Sequence, residues 1–460
     1  MSRLFLKNIH TLVTMDERRS VLHDVDLVAE HGRIRSIGKG LKARKGDEVI
    51  DGRHRAVYPG FINTHHHLYQ TLTRNLPKVQ NSKLFDWLVN LYEVWRGLGP
   101  EAVEVSTQVG LGELLLSGCT TTTDHFYVFP KKAPRELIDV EIDTARRMGV
   151  RFHPTRGSMS RGRSVGGLPP DDVVQTPDEI LKDCERVIRK YHDPEPLSMC
   201  RIALAPCSPF SVTTELLRET AEFARKKRVL LHTHLCETTD EERFCLEKEG
   251  LRPLEYMEKV GWVGPDVWYA HGIHFNDAEI RRLGRTRTGV AHCPCSNLRL
   301  GSGIAPIPKM LKAGVRVGLA VDGSASNDSS SFLREMQFAM LVHRVGTAVD
   351  AMPPLRVLEM ATLGGADILC HPELGRLVPG SAADLAAFRL DRIDYAGALH
   401  DPASAVLFCG GGQRADLTVV AGKVLVRGGR LVGLDEEALF FRANKVSERM
   451  VKAGWKGRGR

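Results

Sequence analysis

Three consecutive histidines, His65, His66 and His67, follow the apolar segment PGFINT and are the first residues in the chain whose spacing suggests chemistry. Side chains alternate between the two faces of a strand, so His65 and His67 are expected to share one face while His66 points away. Two imidazoles on one face form a chelating pair for a borderline ion such as zinc or iron. An HxH pair alone is a modest signal, because packed and surface histidines can have the same spacing.

Other ionisable residues stand at the ends of later apolar segments and strengthen the prediction of a metal site. They are His234 and Glu237 in HTHLCE, His271 in AHG, and Asp322 in VDGSASND. Imidazole and carboxylate groups are the ligands that zinc takes in catalytic sites, where one coordination position stays open for water. Their order along the chain and their spacing therefore predict a single metal centre assembled from several strand ends.

The elements that must position these residues are short β-branched segments that alternate with longer helical patterns. This alternation is typical of successive βα units and a parallel sheet. Six of the eight segments end in a stretch that is rich in His, Asp, Glu, Cys or Ser, and catalytic groups of a TIM barrel lie at the C-terminal ends of its strands. The sequence therefore predicts an α/β fold with a TIM (β/α)8 barrel. The eight segments are AVYPGFINTHHH, GCTTTTDHFY, VRFHPTRGSM, RIALAPCSPF, VLLHTHLCE, VWYAHGI, TGVAHCPCSN and VRVGLAVDGS.

Both ends of the chain have a different pattern, with alternating apolar runs separated by turn residues. His31-Gly32 lies between two such runs near the start of the sequence, and Gly422 and Gly428-Gly429 separate similar runs near its end. Such dipeptides are typical of β-hairpin turns. We therefore expect a smaller β-sandwich-like domain built from residues 1–56 and 380–460, with the barrel over residues 57–379.

Composition narrows the classes of function that remain. No segment approaches the roughly 18 consecutive apolar residues of a membrane span, and no cleavable signal pattern opens the chain, so we expect a cytoplasmic protein. The ten cysteines lack paired CxxC spacing and are expected to be reduced thiols. The formal net charge is +8, but basic and acidic residues are interspersed along most of the chain. We expect no nucleic-acid partner.

The motifs PGFINTHHH, HTHLCE, AHG and VDGSASND together resemble the amidohydrolase superfamily, and the similarity runs over nearly the whole chain. Within it, the chain is similar to the deaminases that hold a single metal ion. The resemblance implies a divalent ion, zinc in preference to iron, on His65, His67, His234 and Asp322. The binuclear branch bridges two ions with a modified lysine on the fourth strand, and RIALAPCSPF contains no lysine, so one ion is favoured.

Hydrolytic deamination assigns roles to the remaining residues. A divalent cation lowers the pKa of bound water from 15.7 to about 7, and Asp322 is positioned to take the proton. His271 is expected to hydrogen-bond the water or the developing oxyanion. Glu237 resembles the proton shuttle of the deaminase branch, and burial should raise its pKa because apolar surroundings disfavour the ionised form.

Residues just beyond the strand ends are the candidates for substrate binding. Gln70 resembles the glutamine with which guanine deaminases hold the lactam edge of the purine, and Trp87 resembles their segment that caps the base. Cys207 stands where those enzymes carry an arginine, which makes guanine itself doubtful. The segments HHHLYQTLTR, TRGSMS and APCSPFSV instead resemble the 8-oxoguanine deaminases, which produce urate and ammonia. From position alone, Arg156 and Ser158 are expected to contact the far edge of the ring.

Several alternatives stay open at this point. Isoxanthopterin or another pterin, guanine, and a triazine losing an amine or a halide all present an electron-poor carbon between ring nitrogens. A non-catalytic scaffold is disfavoured, because such relatives usually lack some of the metal ligands. His125 and His292 also end strands, so they either support the ligands or pack in the core. The expected partners are a small heterocyclic substrate and further copies of the same chain, since relatives commonly form homo-oligomers.

Overall fold

The described residues, 3–410 and 412–456 of a computed structural model, form seventeen strands that fall into two sheets. The strands are β1 (Leu4–Val13), β2 (Val21–Glu30), β3 (Arg33–Gly38), β4 (Glu48–Asp51), β5 (Arg55–Pro59), β6 (Phe61–Asn63), β7 (Cys119–Phe126), β8 (Arg151–Ser158), β9 (Ala203–Pro206), β10 (Leu230–Leu235), β11 (Val267–His271), β12 (Gly289–His292), β13 (Arg316–Leu319), β14 (Leu385–Arg389), β15 (Leu417–Val420), β16 (Lys423–Arg427) and β17 (Arg430–Leu431).

The eight-stranded sheet is the predicted barrel. Strands β6 to β13 pair in chain order, and every pairing is parallel. The first and last strands meet just beyond β6, where the Thr64 N–H donates to the Leu319 carbonyl over 3.1 Å and the Asp322 N–H donates to the His65 carbonyl over 3.2 Å. All eight predicted segments contribute a strand to this barrel. Because the strands are parallel, their C-terminal ends gather at one mouth.

Of the helices in the described residues, the first ten connect successive barrel strands, the next four follow the last barrel strand, and the last two lie between and after strands of the second sheet. The helices are α1 (Leu84–Trp95), α2 (Pro100–Leu116), α3 (Leu137–Met148), α4 (Pro177–Tyr191), α5 (Thr214–Lys227), α6 (Thr239–Glu249), α7 (Pro253–Lys259), α8 (Asp277–Thr286), α9 (Pro294–Arg299), α10 (Ile307–Lys312), α11 (Ser324–Asn327), α12 (Phe332–Gly346), α13 (Pro354–Glu359), α14 (Gly365–Ile368), α15 (Pro402–Cys409) and α16 (Glu436–Gly454). Short 3₁₀ turns cover Leu68–Thr73, Pro77–Val79, Arg163–Val165 and Ile393–Tyr395, and a π-helical turn covers Met360–Gly364. No helix within the described residues is long and apolar enough to cross a membrane.

The second sheet has nine strands and combines both ends of the chain, as the turn residues predicted. The hairpin between β2 and β3 turns at His31 and Gly32, whose φ angles are 52° and 75°. Gly428 and Gly429 turn the hairpin between β16 and β17 with φ angles of 59° and 74°. Two successive positive φ angles define the tight turn whose twist suits a hairpin, which explains why glycine is placed there.

The segment predicted as the first barrel strand is divided between the two sheets. Residues of β5 pair with β1 and β14 in the terminal sheet, and only β6 belongs to the barrel. The chain passes between them at Gly60, where an added Cβ would lie 2.1 Å from the Thr120 hydroxyl oxygen. Domains at 1–56 with 380–460 and at 57–379 remain a proposal, with the first boundary falling inside β5.

A buried ion pair joins the barrel to the terminal sheet. Arg151 on β8 donates from Nε to Asp384 over 2.8 Å and from Nη2 over 3.1 Å, and only 2% and 5% of the two side chains are exposed. The Arg151 guanidinium also donates to the carbonyls of Leu197 and Ser198, while Asp384 accepts from the Ala421 N–H. Every charged atom of the pair therefore has a partner, which is the condition for burying such groups.

We expect Arg151→Ala to lower the free energy of unfolding by about 3–5 kcal/mol, because it leaves the Asp384 carboxylate buried without its counter-ion. The matched control is Lys182→Ala, which breaks an exposed pair with Asp178 on α4 and should change stability little, since solvent screens such pairs. Chemical denaturation measures both variants. Equal effects of the two substitutions would contradict the structural role of the buried pair.

Candidate metal centre and active site

Three histidine side chains converge at the barrel mouth. The hydrogen bonds of each ring determine which of its two nitrogens carries a lone pair that can bind a metal ion. The Nδ1 atoms of His65, His67 and His234 contact His232 Nε2, the His125 carbonyl and the Cys207 carbonyl, at 2.7, 2.8 and 2.5 Å. His232 in turn contacts the Trp268 carbonyl through its own Nδ1 at 2.9 Å, so its Nε2 is an acceptor. All three converging rings therefore donate from Nδ1 and carry a lone pair on Nε2.

These Nε2 atoms lie close to one another and to the carboxylate of Asp322. His67 Nε2 is 3.1 Å from His234 Nε2, and Asp322 Oδ1 is 3.2 Å from His65 Nε2 and 3.4 Å from His67 Nε2. Lone pairs at these distances repel unless a cation lies between them. His65 Nε2 is buried without a hydrogen-bond partner, as a metal ligand would be. The four side chains thus fit a divalent cation.

The described residues contain two overlapping groups whose possible ligand atoms lie within 4.8 Å of one another. His65 and His234 belong to both groups. The first adds His67 and His125, and the second adds His271 and Asp322. His66, in contrast, turns away from the centre, and its Nε2 lies 3.0 Å from the Ser330 hydroxyl.

Serine hydroxyls hold the Asp322 carboxylate from behind. Ser296 donates to Oδ2 over 2.5 Å and Ser326 over 3.2 Å, while the Gly323 N–H donates to Oδ1 over 2.6 Å. Burial acts to raise the pKa of Asp322, but the surrounding imidazoles, His65 first, act in the other direction and hold that pKa well below its usual range. The carboxylate is therefore ionised and fixed in orientation.

Glu237 and His271 face each other across the cavity. Glu237 Oε2 lies 3.6 Å from His271 Nε2, and His271 Nδ1 lies 2.9 Å from the Asn297 side-chain oxygen. Burial raises the pKa of Glu237 to about 7, with a smaller contribution from Asp322 and an opposing one from His271. Glu237 can therefore take up and release a proton near neutral pH.

The backbone is left-handed at three of the strand ends that build the site. Cys236, His271 and Asp322 have φ angles of 55°, 73° and 60°, a region that residues other than glycine seldom adopt and that Asp and His adopt more readily than Cys. Such conformations persist only where surrounding contacts enforce them, and they cluster at functional sites. Glu241 supplies one such contact, because its carboxylate accepts from the N–H groups of Cys236 and Glu237.

Gln70 and Trp87 both border the cavity that contains the metal-binding side chains. The amide of Gln70 lies against Gly323, where an added Cβ would be 1.9 Å from the amide oxygen. That oxygen is buried without a hydrogen-bond partner. Trp87 donates from Nε1 to the Ala325 carbonyl over 3.3 Å, which fixes its indole at the edge of the cavity.

Arg156 and Ser158 do not line this cavity, contrary to the expectation that they contact the ring. The Arg156 guanidinium donates to Asp183 and Gln175 over 2.6 and 2.9 Å and lies 3.8 Å from the centroid of the Phe129 ring. Asp183 belongs to α4, outside the barrel. The physical reason is strand periodicity, because Arg156 and Ser158 share the face of β8 that points away from the barrel interior.

Cys207 does line the cavity, and its carbonyl orients His234. Burial raises the pKa of its thiol to about 12, so the thiol stays protonated at neutral pH. It is therefore an uncharged part of the cavity wall and does not act as a nucleophile. His292 lies elsewhere, with its Nε2 3.2 Å from that of His343.

Several residues of the site were not predicted from the sequence. They are Tyr127, Ser208, Phe210, Leu84, Leu88, Leu300 and Ser326 in the cavity wall, with Ser296 and Asn297 behind it. Tyr127 and Ser208 follow barrel strands directly, so their position at a strand end was a usable signal. The leucines carried no such signal, since their approach to the site depends on how α1 and the loop after β12 fold back.

A comparison with family models matches residues 56–425 to the amidohydrolase family. The chain belongs to the amidohydrolase family. It is a hydrolase that acts on carbon–nitrogen bonds, as the motifs indicated, and the barrel described above is the fold of this family's solved structures.

Individual amidohydrolases match over nearly their full length. An 8-oxoguanine deaminase of Pseudomonas aeruginosa is 46% identical, covering 98% of this chain and 100% of that protein. A hydroxydechloroatrazine ethylaminohydrolase of a Pseudomonas species is 40% identical over 98% of this chain and 96% of that protein. The structure of atrazine chlorohydrolase TrzN from Arthrobacter aurescens TC1, complexed with zinc, superposes with a TM-score of 0.93 at 35% identity, covering 96% of this chain and 100% of that one.

Purified protein should bind about one divalent ion per chain, and His65→Ala and His234→Ala should each lose most of it, because each substitution removes one of the side chains whose lone pairs face the ion. His66→Ala is the matched control and should retain the ion, since His66 faces Ser330 instead. Elemental analysis of the three variants measures the content. Two ions per chain in the parent, or full retention in His65→Ala, would contradict the mononuclear site.

Proposed function

We propose that this amidohydrolase deaminates an aminated purine-like ring, with 8-oxoguanine as its preferred substrate and urate and ammonia as products. The observation that carries the proposal is the cavity itself. It combines a cation-binding set of three histidines and Asp322, a buried carboxyl group that titrates near neutral pH, and an unpartnered side-chain amide. Hydrolysis of a ring amidine needs the first two, and the amide can bind the ring.

A divalent ion on His65, His67, His234 and Asp322 would supply the acidification of water that makes hydroxide available at neutral pH. Asp322 is the residue that accepts the proton, because its carboxylate is ionised and its Oδ1 faces the cluster. Ser296 and Ser326 hold its other oxygen and so keep Oδ1 turned towards the reacting atoms.

Glu237 delivers protons to the substrate. When water adds to the carbon that carries the amino group, the neighbouring ring nitrogen and then the departing amine must each gain a proton. A carboxyl group with a pKa of about 7 can give one proton and recover another within the same turnover. His271 lies between Glu237 and the cation ligands, where its Nε2 can hydrogen-bond the oxygen that adds to the ring.

The amide of Gln70 suits the lactam edge of a purine, because it both donates and accepts hydrogen bonds. Its oxygen lacks a partner within the described residues, and leaving a buried acceptor unpaired costs about 1–3 kcal/mol, so a ligand N–H there stabilises the complex. Trp87 supplies a flat surface beside the ring. The similarity to an 8-oxoguanine deaminase over nearly the whole chain supports this choice of purine.

The second candidate function is removal of an amine or halide from a triazine. It is favoured by the 40% identity to hydroxydechloroatrazine ethylaminohydrolase and by the superposition on atrazine chlorohydrolase. Pterins and guanine share the same electron-poor carbon and are further alternatives. Zinc is the proposed ion, supported by the zinc complex of that structural relative. A cytoplasmic homo-oligomer remains part of the proposal.

Glu237→Gln should keep the ion and the fold while the deamination rate falls by at least about 10²–10⁴-fold, the contribution typical of general acid–base catalysis. Glutamine preserves the shape of the side chain and cannot release a proton. Glu141→Gln is the matched control, because Glu141 is an equally buried carboxyl on α3 with a raised pKa and lies outside the cavity. Ammonia release measures both rates. If Glu237→Gln deaminated at nearly the parent rate, Glu237 would not be the proton-transfer residue and His271 would be the next candidate.

Among 8-oxoguanine, guanine, isoxanthopterin and melamine-type triazines, 8-oxoguanine should show the highest kcat/KM. A site that hydrogen-bonds a ring N–H or carbonyl rejects an analogue that lacks it by as much as about 10⁴–10⁵-fold, so guanine should be a poor substrate. A coupled ammonia assay compares the four rings directly. A pterin or triazine that exceeds 8-oxoguanine by tenfold would replace the purine assignment and leave the deaminase intact, whereas no ammonia from any ring would contradict both.

A further inference from the structure

The cavity has a second polar wall that the proposed chemistry does not use. Tyr127 directly follows β7, and Ser208 follows β9, the fourth strand of the barrel. Gln70 lies across from Ser208, against Gly323, which follows the eighth strand. In an eight-stranded barrel, the fourth and eighth strands are diametrically opposite. A flat ring held by Gln70 therefore presents the far part of its edge to Ser208, and Tyr127, which follows the second strand, borders the cavity between them.

Tyr127 is held rigidly by aromatic neighbours. Its ring is nearly perpendicular to those of His67 and Tyr69, with centroids 5.2 and 5.9 Å away, and only 2% of the residue is exposed. An ordinary phenol has a pKa of about 10, so Tyr127 can donate a hydrogen bond at neutral pH.

The phenol of Tyr127 lies beside those of Tyr69 and Tyr92, which are also buried. Of these three tyrosines, Tyr127 is the one that borders the cavity. A carbonyl oxygen of a ligand placed there would accept a hydrogen bond from its phenol.

Ser208 presents a hydroxyl of adjustable direction. Its Oγ lies 2.6 Å from that of Ser211, which is also 3.2 Å from the Ser208 carbonyl oxygen. When Ser211 donates to Ser208 Oγ, the Ser208 proton is free to point into the cavity. When Ser208 donates to Ser211, its oxygen can accept from a ligand N–H. A hydroxyl can thus serve either kind of ligand group.

The chemistry of this wall defines the edge that it recognises. None of the described residues that line the cavity is lysine or arginine, so a charged carboxylate or phosphate finds no cationic side chain here. Neutral hydroxyls match an uncharged edge in which a carbonyl is flanked by N–H groups. A cyclic urea has that pattern, and so does the five-membered ring of a purine that carries an oxo group between its two nitrogens.

We propose that Tyr127 and Ser208 form the subsite that selects the cyclic-urea edge of the substrate and so distinguish 8-oxoguanine from guanine. The inference rests on the proposed function and adds two specificity-determining residues to it. Neither residue holds the cation or moves a proton in the reaction. Their loss should therefore act on the ratio between the two purines and leave the chemistry on the amino group intact.

The test compares kcat/KM for 8-oxoguanine and guanine in the zinc-loaded full-length enzyme and its Tyr127→Phe and Ser208→Ala variants. Each variant should lower kcat/KM for 8-oxoguanine by about tenfold or more, the factor that corresponds to loss of one buried hydrogen bond, and change guanine much less. Tyr395→Phe is the matched control, because Tyr395 is a buried phenol without a hydrogen-bond partner that lies outside the cavity. Thermal melting checks that every variant is folded.

Product binding gives a readout that does not depend on turnover of a poor substrate. Urate carries a cyclic urea in its five-membered ring and xanthine carries none there, so Tyr127→Phe should weaken inhibition by urate and leave inhibition by xanthine nearly unchanged. Equal losses for both products and both substrates, or no loss for 8-oxoguanine, would overturn the subsite. A parent enzyme that prefers guanine or a triazine would instead overturn the proposed function, so the two failures are distinguishable.

Discussion

Mutual repulsion among the lone pairs at the barrel mouth is the constraint on which the rest of the site depends. Three imidazole nitrogens and one carboxylate oxygen face a common point, with separations as short as 3.1 Å. Each histidine is held there by a hydrogen bond from its other nitrogen to a carbonyl or to His232. The repulsion between these lone pairs lowers the stability of the folded barrel, and a bound cation removes it. This favours tight and geometrically selective metal binding.

The two carboxyl groups of the proposed site differ in pKa because their neighbours differ. Asp322 and Glu237 are both buried, and burial alone would raise the pKa of each. Asp322 is surrounded by the imidazoles and by serine and backbone donors, which stabilise its charge. Glu237 has only the more distant His271 to oppose its desolvation. Two residues of similar chemistry thus acquire the opposite protonation preferences that an acid–base reaction requires.

The substrate cavity draws its walls from different kinds of element. Its reactive side comes from strand ends fixed by the barrel hydrogen bonds, whereas its outer side comes from α1 and from the 3₁₀ turn that follows β6. Function in this architecture changes through the loops while the strands are kept. This division accounts for relatives that share the fold closely but act on purines in one case and on triazines in another.

The sequence by itself determined the architecture and the reactive centre. Strand periodicity and the barrel rule placed His65, His67, His234, Glu237 and Asp322 at one mouth, because parallel strands bring their C-terminal ends together whatever the intervening helices do. The tertiary structure alone decided which neighbours join them. In the folded protein, Arg156 lies on the outer face of β8, whereas Tyr127 and Ser208 line the cavity. Alternation along a strand shows which residues share a face, but only the folded sheet shows which face is turned inwards. The tertiary structure also set the pKa of Glu237, because desolvation is a property of the packed cavity and has no local signature in the chain.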